Sequence, residues 1–128
     1  MLTRAGRARP QIGGIELAIW YLMRVTGVAL FFLALGHFAI MHVINDVEVQ
    51  DASWIVNFRW GSLFWRSYDW LMLSMVLFHS FMGMRTIVRD YVRGGARTAA
   101  MAGIYFGLLA VLVLGTIVVM TAPFFQGS

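Results

Sequence analysis

Cysteine and lysine are both absent from this 128-residue chain, and charged residues make up only 12% of it. Without cysteine, the chain can form no disulfide, no thiolate metal site and no protein-bound iron–sulfur cluster. Soluble domains carry roughly 25% charged residues, so a content this low argues against a soluble fold. The sequence also lacks a glycine-rich nucleotide-binding loop, which argues against a flavin site in this chain.

Hydrophobic residues account for 60% of the sequence, and they are concentrated in three long segments. Each segment is close to the roughly 20 residues that an apolar helix needs to cross a bilayer. All ten basic residues are arginine, and in so apolar a chain they indicate one arginine-rich membrane face, with no nucleic-acid partner. We therefore predict an all-α membrane protein with three transmembrane helices, surrounded by membrane lipid.

The predicted helices are separated by connections of unequal length. The successive segments are an N-terminal segment at 1–16, helices at 17–44, 65–91 and 99–122, connections at 45–64 and 92–98, and a tail at 123–128. Aromatic residues in the first connection indicate a short helix lying in the membrane interface. Gly94-Gly95 is expected to break the chain in the second connection.

Arginine is distributed unevenly between the two sides of the predicted membrane. Four arginines flank the start of the first helix and four flank the second connection, whereas the first connection contains or adjoins only two arginines and contains three acidic residues. The positive-inside rule therefore places the N-terminus and the second connection in the cytoplasm. We expect a multi-pass protein of the cell's inner, or plasma, membrane.

The second predicted helix carries a stripe of polar and small residues. At about 100° per residue, one face of this helix presents Tyr68, Met72, His79, Gly83, Thr86 and Asp90. An imidazole in hydrocarbon needs a partner, so His79 either makes a hydrogen bond across a helix interface or binds a metal or haem iron. Gly83 removes a side chain where a flat macrocycle or a neighbouring helix would approach closely.

Two polar residues of the first predicted helix are further candidates. Arg24 is a charge inside an apolar stretch, and it either extends its guanidinium to lipid phosphate or binds an acidic ligand group. His37 is either a second ligand or a hydrogen-bonded contact between helices. In the third helix, small residues at four-residue spacing predict close helix–helix contact, namely Ala99, Gly103 and Gly107.

The chain resembles the small hydrophobic membrane anchor of succinate dehydrogenase (respiratory complex II), of the cytochrome b kind and the D type, and among these the actinobacterial-type anchors. Besides three spans with the N-terminus inside, the matching residues are Arg24-Val25-Thr26-Gly27, His79 with Gly83-Met84, and Asp90-Tyr91. The actinobacterial likeness lies in Leu35-Gly36-His37 and Arg85-Thr86-Ile87. The resemblance implies a helical bundle that packs with a partner anchor subunit.

The resemblance also implies a cofactor and partners. His79 would be one axial ligand of haem b, and a histidine of the second anchor subunit, of the C type, would be the other. Tyr91 would donate a hydrogen bond to a quinone carbonyl, of menaquinone or ubiquinone, while Asp90 orients that end of the site or delivers protons. Arg24 would lie near the haem propionates or the quinone, and His37 would bind a second haem or pack. An iron–sulfur subunit and a flavoprotein subunit would supply the electrons from succinate.

Two alternatives remain at this point. The anchor of a fumarate reductase would run the same reaction in reverse. A structural helical subunit of another membrane complex would use His79 only for packing. A b-type absorbance that changes on reduction separates the anchors from the structural subunit.

Overall fold

The computed structural model describes residues 13–122, so the predicted tail at 123–128 and most of the predicted N-terminal segment lie outside the described residues. Within this range every regular element is helical. Three helices are long and apolar enough to cross a membrane, at Ile15–Ile44, Leu63–Tyr91 and Gly94–Thr121. The prediction of an all-α protein with three membrane-spanning helices is therefore confirmed.

The first span consists of helix α1, Ile15–Phe38, which continues as a π-helical turn over Ala39–Ile44. In a wider π turn each backbone amide bonds five residues back, and the amide of Asn45 accordingly donates to the Ile40 carbonyl at 3.3 Å. The Asn45 side chain donates to the same carbonyl at 2.7 Å. The Ile40 carbonyl at the end of the helix is thereby satisfied twice by one residue.

The first connection is built from short helical turns. It contains a 3₁₀ turn at Val47–Val49 and the single-turn helix α2, Ala52–Trp54, which continues as a π-helical turn over Ile55–Arg59. Asp51 caps α2, because its carboxylate accepts from the Trp54 amide at 2.8 Å. These turns return the chain from α1 to the next span.

The second and third spans are helix α3, Leu63–Tyr91, and helix α4, Gly94–Thr121. The predicted connection at 92–98 is shorter in the structure, because Gly94 begins α4 with a φ of 68° and the helix extends beyond its apolar part. Hydropathy marks where a helix meets hydrocarbon, whereas backbone hydrogen bonding continues into the polar region.

Helix α3 lies between the other two and packs antiparallel to both. Toward α4 it places Phe81 against Gly107 and Leu73 against Gly115, and Trp70 Nε1 donates to Thr116 Oγ1 at 2.9 Å. Among the predicted small residues, Gly107 makes the expected close contact, but a side chain at Gly103 would meet no atom of the described chain within 4 Å.

Very little of the apolar surface is buried within the chain. The buried hydrophobic residues of the described part are Met82, Ile104 and Val119. Large aliphatic and aromatic side chains along all three spans are exposed, and lipid or partner helices are the surroundings that suit such surfaces.

Candidate functional site

His79 lies on the face of α3 that packs against α1. Its Nδ1 is 3.1 Å from the Thr26 hydroxyl, and Thr26 is only 6% exposed. The Thr26 hydroxyl also donates to the Leu22 carbonyl at 2.6 Å. Because Gly27 has no side chain, α1 can approach the imidazole edge, and a Cβ at that position would lie 3.3 Å from His79 Cε1.

The predicted stripe of α3 is the contact face with α1 over most of its length. Tyr68 donates its hydroxyl proton to the Leu33 carbonyl at 2.7 Å, and a Cβ at Gly83 would lie 3.9 Å from the Met23 methyl. The stripe leaves this interface at the C-terminal end of α3, where Thr86 and Asp90 are exposed.

His37 lies near the other end of the α1–α3 interface, beside an aspartate that the sequence interpretation missed. His37 Nδ1 is 3.5 Å from Asp69 Oδ1, and this buried nitrogen has no hydrogen-bond partner among residues 13–122. Asp69 accepts from Arg59 Nε and from Trp60 Nε1, each at 2.9 Å, and from the second Arg59 nitrogen at 2.5 Å. The sequence signal that could have identified Asp69 is its position as an acidic residue inside an apolar stretch.

Arg59 and Asp69 are both almost fully buried, at 4% and 8% exposure. The Arg59 guanidinium also lies over the Trp65 ring, 4.5 Å from its centroid. A cation at this depth is tolerable because a carboxylate and an aromatic face surround it. The first connection is thus tied to α3 by one buried polar cluster.

Arg24 lies over the Trp20 ring, 3.5 Å from the centroid, and donates to the Trp20 carbonyl at 3.3 Å. It borders a cavity of about 840 Å³ between the start of α1 and the end of α3. The polar and aromatic residues that line the cavity are Glu16, Trp20, Tyr21, Arg24, Arg85, Thr86 and Arg89. Three cations and one carboxylate therefore surround this space.

Glu16, within the predicted N-terminal segment, belongs to α1 in the structure. Its carboxylate pairs with Arg85 and, at 3.0 Å, with Arg89. Arg85 is buried and also donates to the Tyr105 hydroxyl at 2.7 Å. One guanidinium thereby connects all three long helices, and this tie explains why a charge is retained so near the start of a span.

Asp90 and Tyr91 end α3 and are exposed, Tyr91 by 83%. Neither of them lines the cavity beside Arg24. They lie eleven residues and more from His79, which corresponds to about 16 Å along the helix axis. The chain alone therefore does not bring the Asp90-Tyr91 pair together with Arg24. Across residues 13–122, no three or more histidine, cysteine, aspartate or glutamate side chains form a metal-binding group.

The model of the succinate dehydrogenase/fumarate reductase transmembrane subunit family matches residues 3–121. The chain belongs to this family. No curated protein matched the sequence. Membership makes this a multi-pass transmembrane subunit of an oxidoreductase complex that also contains a flavoprotein and an iron–sulfur subunit.

The family settles part of the resemblance seen in the sequence. The prediction of a membrane anchor of the succinate dehydrogenase/fumarate reductase type is confirmed. The alternative of a structural subunit of an unrelated complex is therefore wrong. The chain's likeness to the D-type and to the actinobacterial anchors stays a prediction, as do the roles of the individual site residues.

Proposed function

We propose that this transmembrane subunit binds haem b through His79, at its interface with a second anchor subunit, and contributes to the quinone-reduction site of a plasma-membrane succinate:quinone oxidoreductase. The observation that carries the proposal is the state of His79. Its Nδ1 is engaged by Thr26, while Nε2 has no hydrogen bond to any residue within 13–122. The side chain is only partly buried by its own chain, so its second nitrogen can serve as a ligand.

These residues fit a histidine that would hold a haem iron. A ligating histidine commonly uses its other ring nitrogen in a hydrogen bond, which is the arrangement of His79 with Thr26. When bound, a haem iron with two imidazole ligands is coordinatively saturated and carries single electrons. The second imidazole would come from the partner anchor, of the C type. His79 would hold its half of the site, and the glycine at position 27 lets the two helices close around the ring.

The quinone end of the proposal rests on Tyr91 and Asp90. The Tyr91 side chain is exposed in the chain, and its hydroxyl would donate a hydrogen bond to a carbonyl oxygen of menaquinone or ubiquinone as negative charge develops there. Asp90 would orient that end or deliver protons from the cytoplasm, where arginine placement puts the N-terminus and the α3–α4 connection. Arg24, with its neighbouring cavity, would lie near the haem propionates or the quinone.

The remaining alternatives concern direction and haem number. Fumarate reduction would use the same residues in reverse, because the family description covers both enzymes and the quinone potential decides the direction. His37 would be either a ligand of a second haem or a packing residue. Its contact with Asp69 suits both roles, since a carboxylate can orient a ligand as well as hold a packed imidazole.

The test of haem ligation is His79→Ala in the purified complex, with His42→Ala as a matched control on an exposed histidine of the first span. We expect His79→Ala to abolish or severely perturb the low-spin haem spectrum, and His42→Ala to leave it unchanged. Co-purification of the flavoprotein and iron–sulfur subunits with a tagged copy of this chain reports that the complex has assembled. An unaltered haem spectrum in assembled His79→Ala complex contradicts ligation.

The quinone site is tested by Tyr91→Phe. Loss of one positioned donor should lower quinone turnover by about 10²-fold, while haem content stays at the wild-type level because His79 is unaffected. Steady-state quinone reduction and the haem spectrum are measured on the same preparation. Wild-type quinone kinetics in the variant would reject this role for Tyr91.

A further inference from the structure

Thr26 has one hydroxyl proton and three neighbours that compete for it, of which the Met23 carbonyl oxygen is the most distant at 3.3 Å. The Leu22 carbonyl oxygen is 2.6 Å from Thr26 Oγ1, and His79 Nδ1 is 3.1 Å from it. A distance of 2.6 Å is typical of an O–H···O hydrogen bond, whereas two oxygens that close without a proton between them repel. The hydroxyl proton therefore points at Leu22, one helical turn earlier.

The direction of the contact with His79 follows from that assignment. With its proton donated to Leu22, Thr26 Oγ1 can only accept from the imidazole, and 3.1 Å is within the N–H···O range. Nδ1 then carries the hydrogen, and in the neutral ring Nε2 has the free lone pair. Because Thr26 is 6% exposed, water does not readily replace this acceptor.

We infer that Thr26 is a positioning residue that holds His79 in the tautomer with hydrogen on Nδ1 and so presents Nε2 to an iron. The inference rests on the proposed haem ligation by His79 and adds a residue that the sequence interpretation did not assign. Gly27 completes the arrangement, because its missing side chain lets the ring lie against α1 within reach of the hydroxyl.

Helix back-bonding alone does not account for this placement. Thr121 also donates to the carbonyl four residues earlier, at 2.6 Å, but no imidazole of the described chain is hydrogen-bonded to it. A threonine hydroxyl in an apolar helix commonly satisfies itself in this way. Thr26 differs in that its remaining acceptor capacity is directed at His79, across the interface between two spans.

The hydrogen bond has a consequence for the iron that His79 would ligate. A donor N–H that is engaged by an acceptor makes the opposite ring nitrogen a stronger ligand, and hydrogen bonding around the ligands is one of the means by which a protein sets a haem potential. Removing the acceptor should therefore weaken electron donation to the iron and favour its reduced state.

The experiment compares Thr26→Val, Thr26→Ser and Thr121→Val in the purified complex. Valine keeps the shape of threonine without the hydroxyl, serine keeps the hydroxyl, and Thr121→Val removes a back-bonding hydroxyl that is not paired with a histidine of the described chain. Haem content per complex and the haem midpoint potential are measured by a spectroscopic redox titration. Both readouts are independent of succinate and quinone turnover.

In Thr26→Val we expect the haem midpoint potential to rise. The expected rise corresponds to about a tenfold change in the ratio of ferric to ferrous ligand affinity, which is about 59 mV for one electron. Loss of haem from this variant also supports the inference if serine restores it. Serine should return the potential to the wild-type value, and Thr121→Val should not move it. If the valine complex does not assemble, Thr26→Ala is titrated, with the same direction expected.

Two outcomes overturn the inference. One is full haem content with an unchanged potential in Thr26→Val, and the other is a Thr26→Ser complex that behaves like the valine variant. Both leave the proposed function intact as long as His79→Ala abolishes the haem spectrum. Retention of the spectrum in His79→Ala instead removes the proposed function itself, so the two failures are distinguishable.

Discussion

Replacing Asp69 with asparagine tests how firmly the first connection is held against α3. The change keeps the shape of the side chain but removes the negative charge that faces Arg59, leaving a guanidinium that is 4% exposed without a counter-ion. Asp69 also accepts hydrogen bonds from two Arg59 nitrogens and from Trp60 Nε1. Removing one partner of such a buried pair costs about 3–5 kcal/mol.

The cost should appear as local opening of the connection, because Arg59 and Trp60 both bond this segment to Asp69 of α3. Trypsin cleaves after arginine, and the chain contains no lysine, so cleavage after Arg59 reports whether its side chain is released. When opening is fast relative to cleavage, the cleavage rate follows the population of the open form. At 1.4 kcal/mol per factor of ten, we expect Asp69→Asn to accelerate this cleavage by roughly 10²- to 4 × 10³-fold.

Asp90→Asn is the matched control, since it makes the same change at an exposed position of the same helix. It should leave cleavage after Arg59 at the wild-type rate in the detergent-solubilised complex. Arg59→Met removes the trypsin site, so its coupling to Asp69→Asn is measured by thermal unfolding. The double variant should be destabilised by about 0.5–3 kcal/mol less than the sum of the two single variants. Equal cleavage after Arg59 in Asp69→Asn and Asp90→Asn would refute the reasoning.

Two further predictions concern a helix interface and a helix cap. Gly115→Ala places a Cβ 2.5 Å from Leu73 Cδ2. The overpacking should cost about 1–3 kcal/mol of stability and so lower the thermal midpoint of the complex. Gly103→Ala meets no atom within 4 Å in the described chain and should stabilise by about 0.5–1 kcal/mol, so equal midpoints for the two variants contradict the packing. The Ser53 hydroxyl, followed by the Trp54 amide, holds the pKa of Asp51 below its usual value of 3.8. The stabilisation of α2 by this cap is therefore present above that value and lost as pH falls through the lowered pKa, and amide exchange of Trp54 should lose this acid dependence in Asp51→Asn.

The spans could be predicted from the sequence because transfer into hydrocarbon depends on composition over a long window, which needs no tertiary information. The helix ends could not be predicted as well, because they depend on local backbone geometry. Gly94 was expected to break the chain, yet its positive φ lets α4 begin there. The sequence places Glu16 in the N-terminal segment, whereas in the structure it belongs to the first helix and pairs with Arg85 and Arg89 of α3.

Which polar residues become partners depends on the register between helices. The periodicity of a single helix does not reveal that register. The stripe of α3 was found from its periodicity, but nothing in the α3 sequence identifies Thr26 as the neighbour of His79. Asp69 lies ten residues earlier on α3, next to Tyr68 of the stripe, and its partner Arg59 comes from a connection whose path depends on the folded turns. Pairings of this kind follow only from the folded packing of the connection and α1 against α3.

Helix α3 contacts both of its neighbours through close packing and side-chain hydrogen bonds, but only the α1 interface includes the proposed haem ligand. Apolar burial gives little net drive for association in lipid, so close packing and interhelical hydrogen bonds remain. Toward α4 the structure combines packing, with Phe81 against Gly107 and Leu73 against Gly115, with hydrogen bonds such as the one from Trp70 to Thr116. Toward α1 it uses polar contacts along the interface, and the contact of His79 with Thr26 is one of them. The proposed ligand is therefore part of the interface that positions α1. A variant that shifts α1 should also disturb the ligand geometry. A variant confined to the α3–α4 packing should lower stability without moving the haem potential.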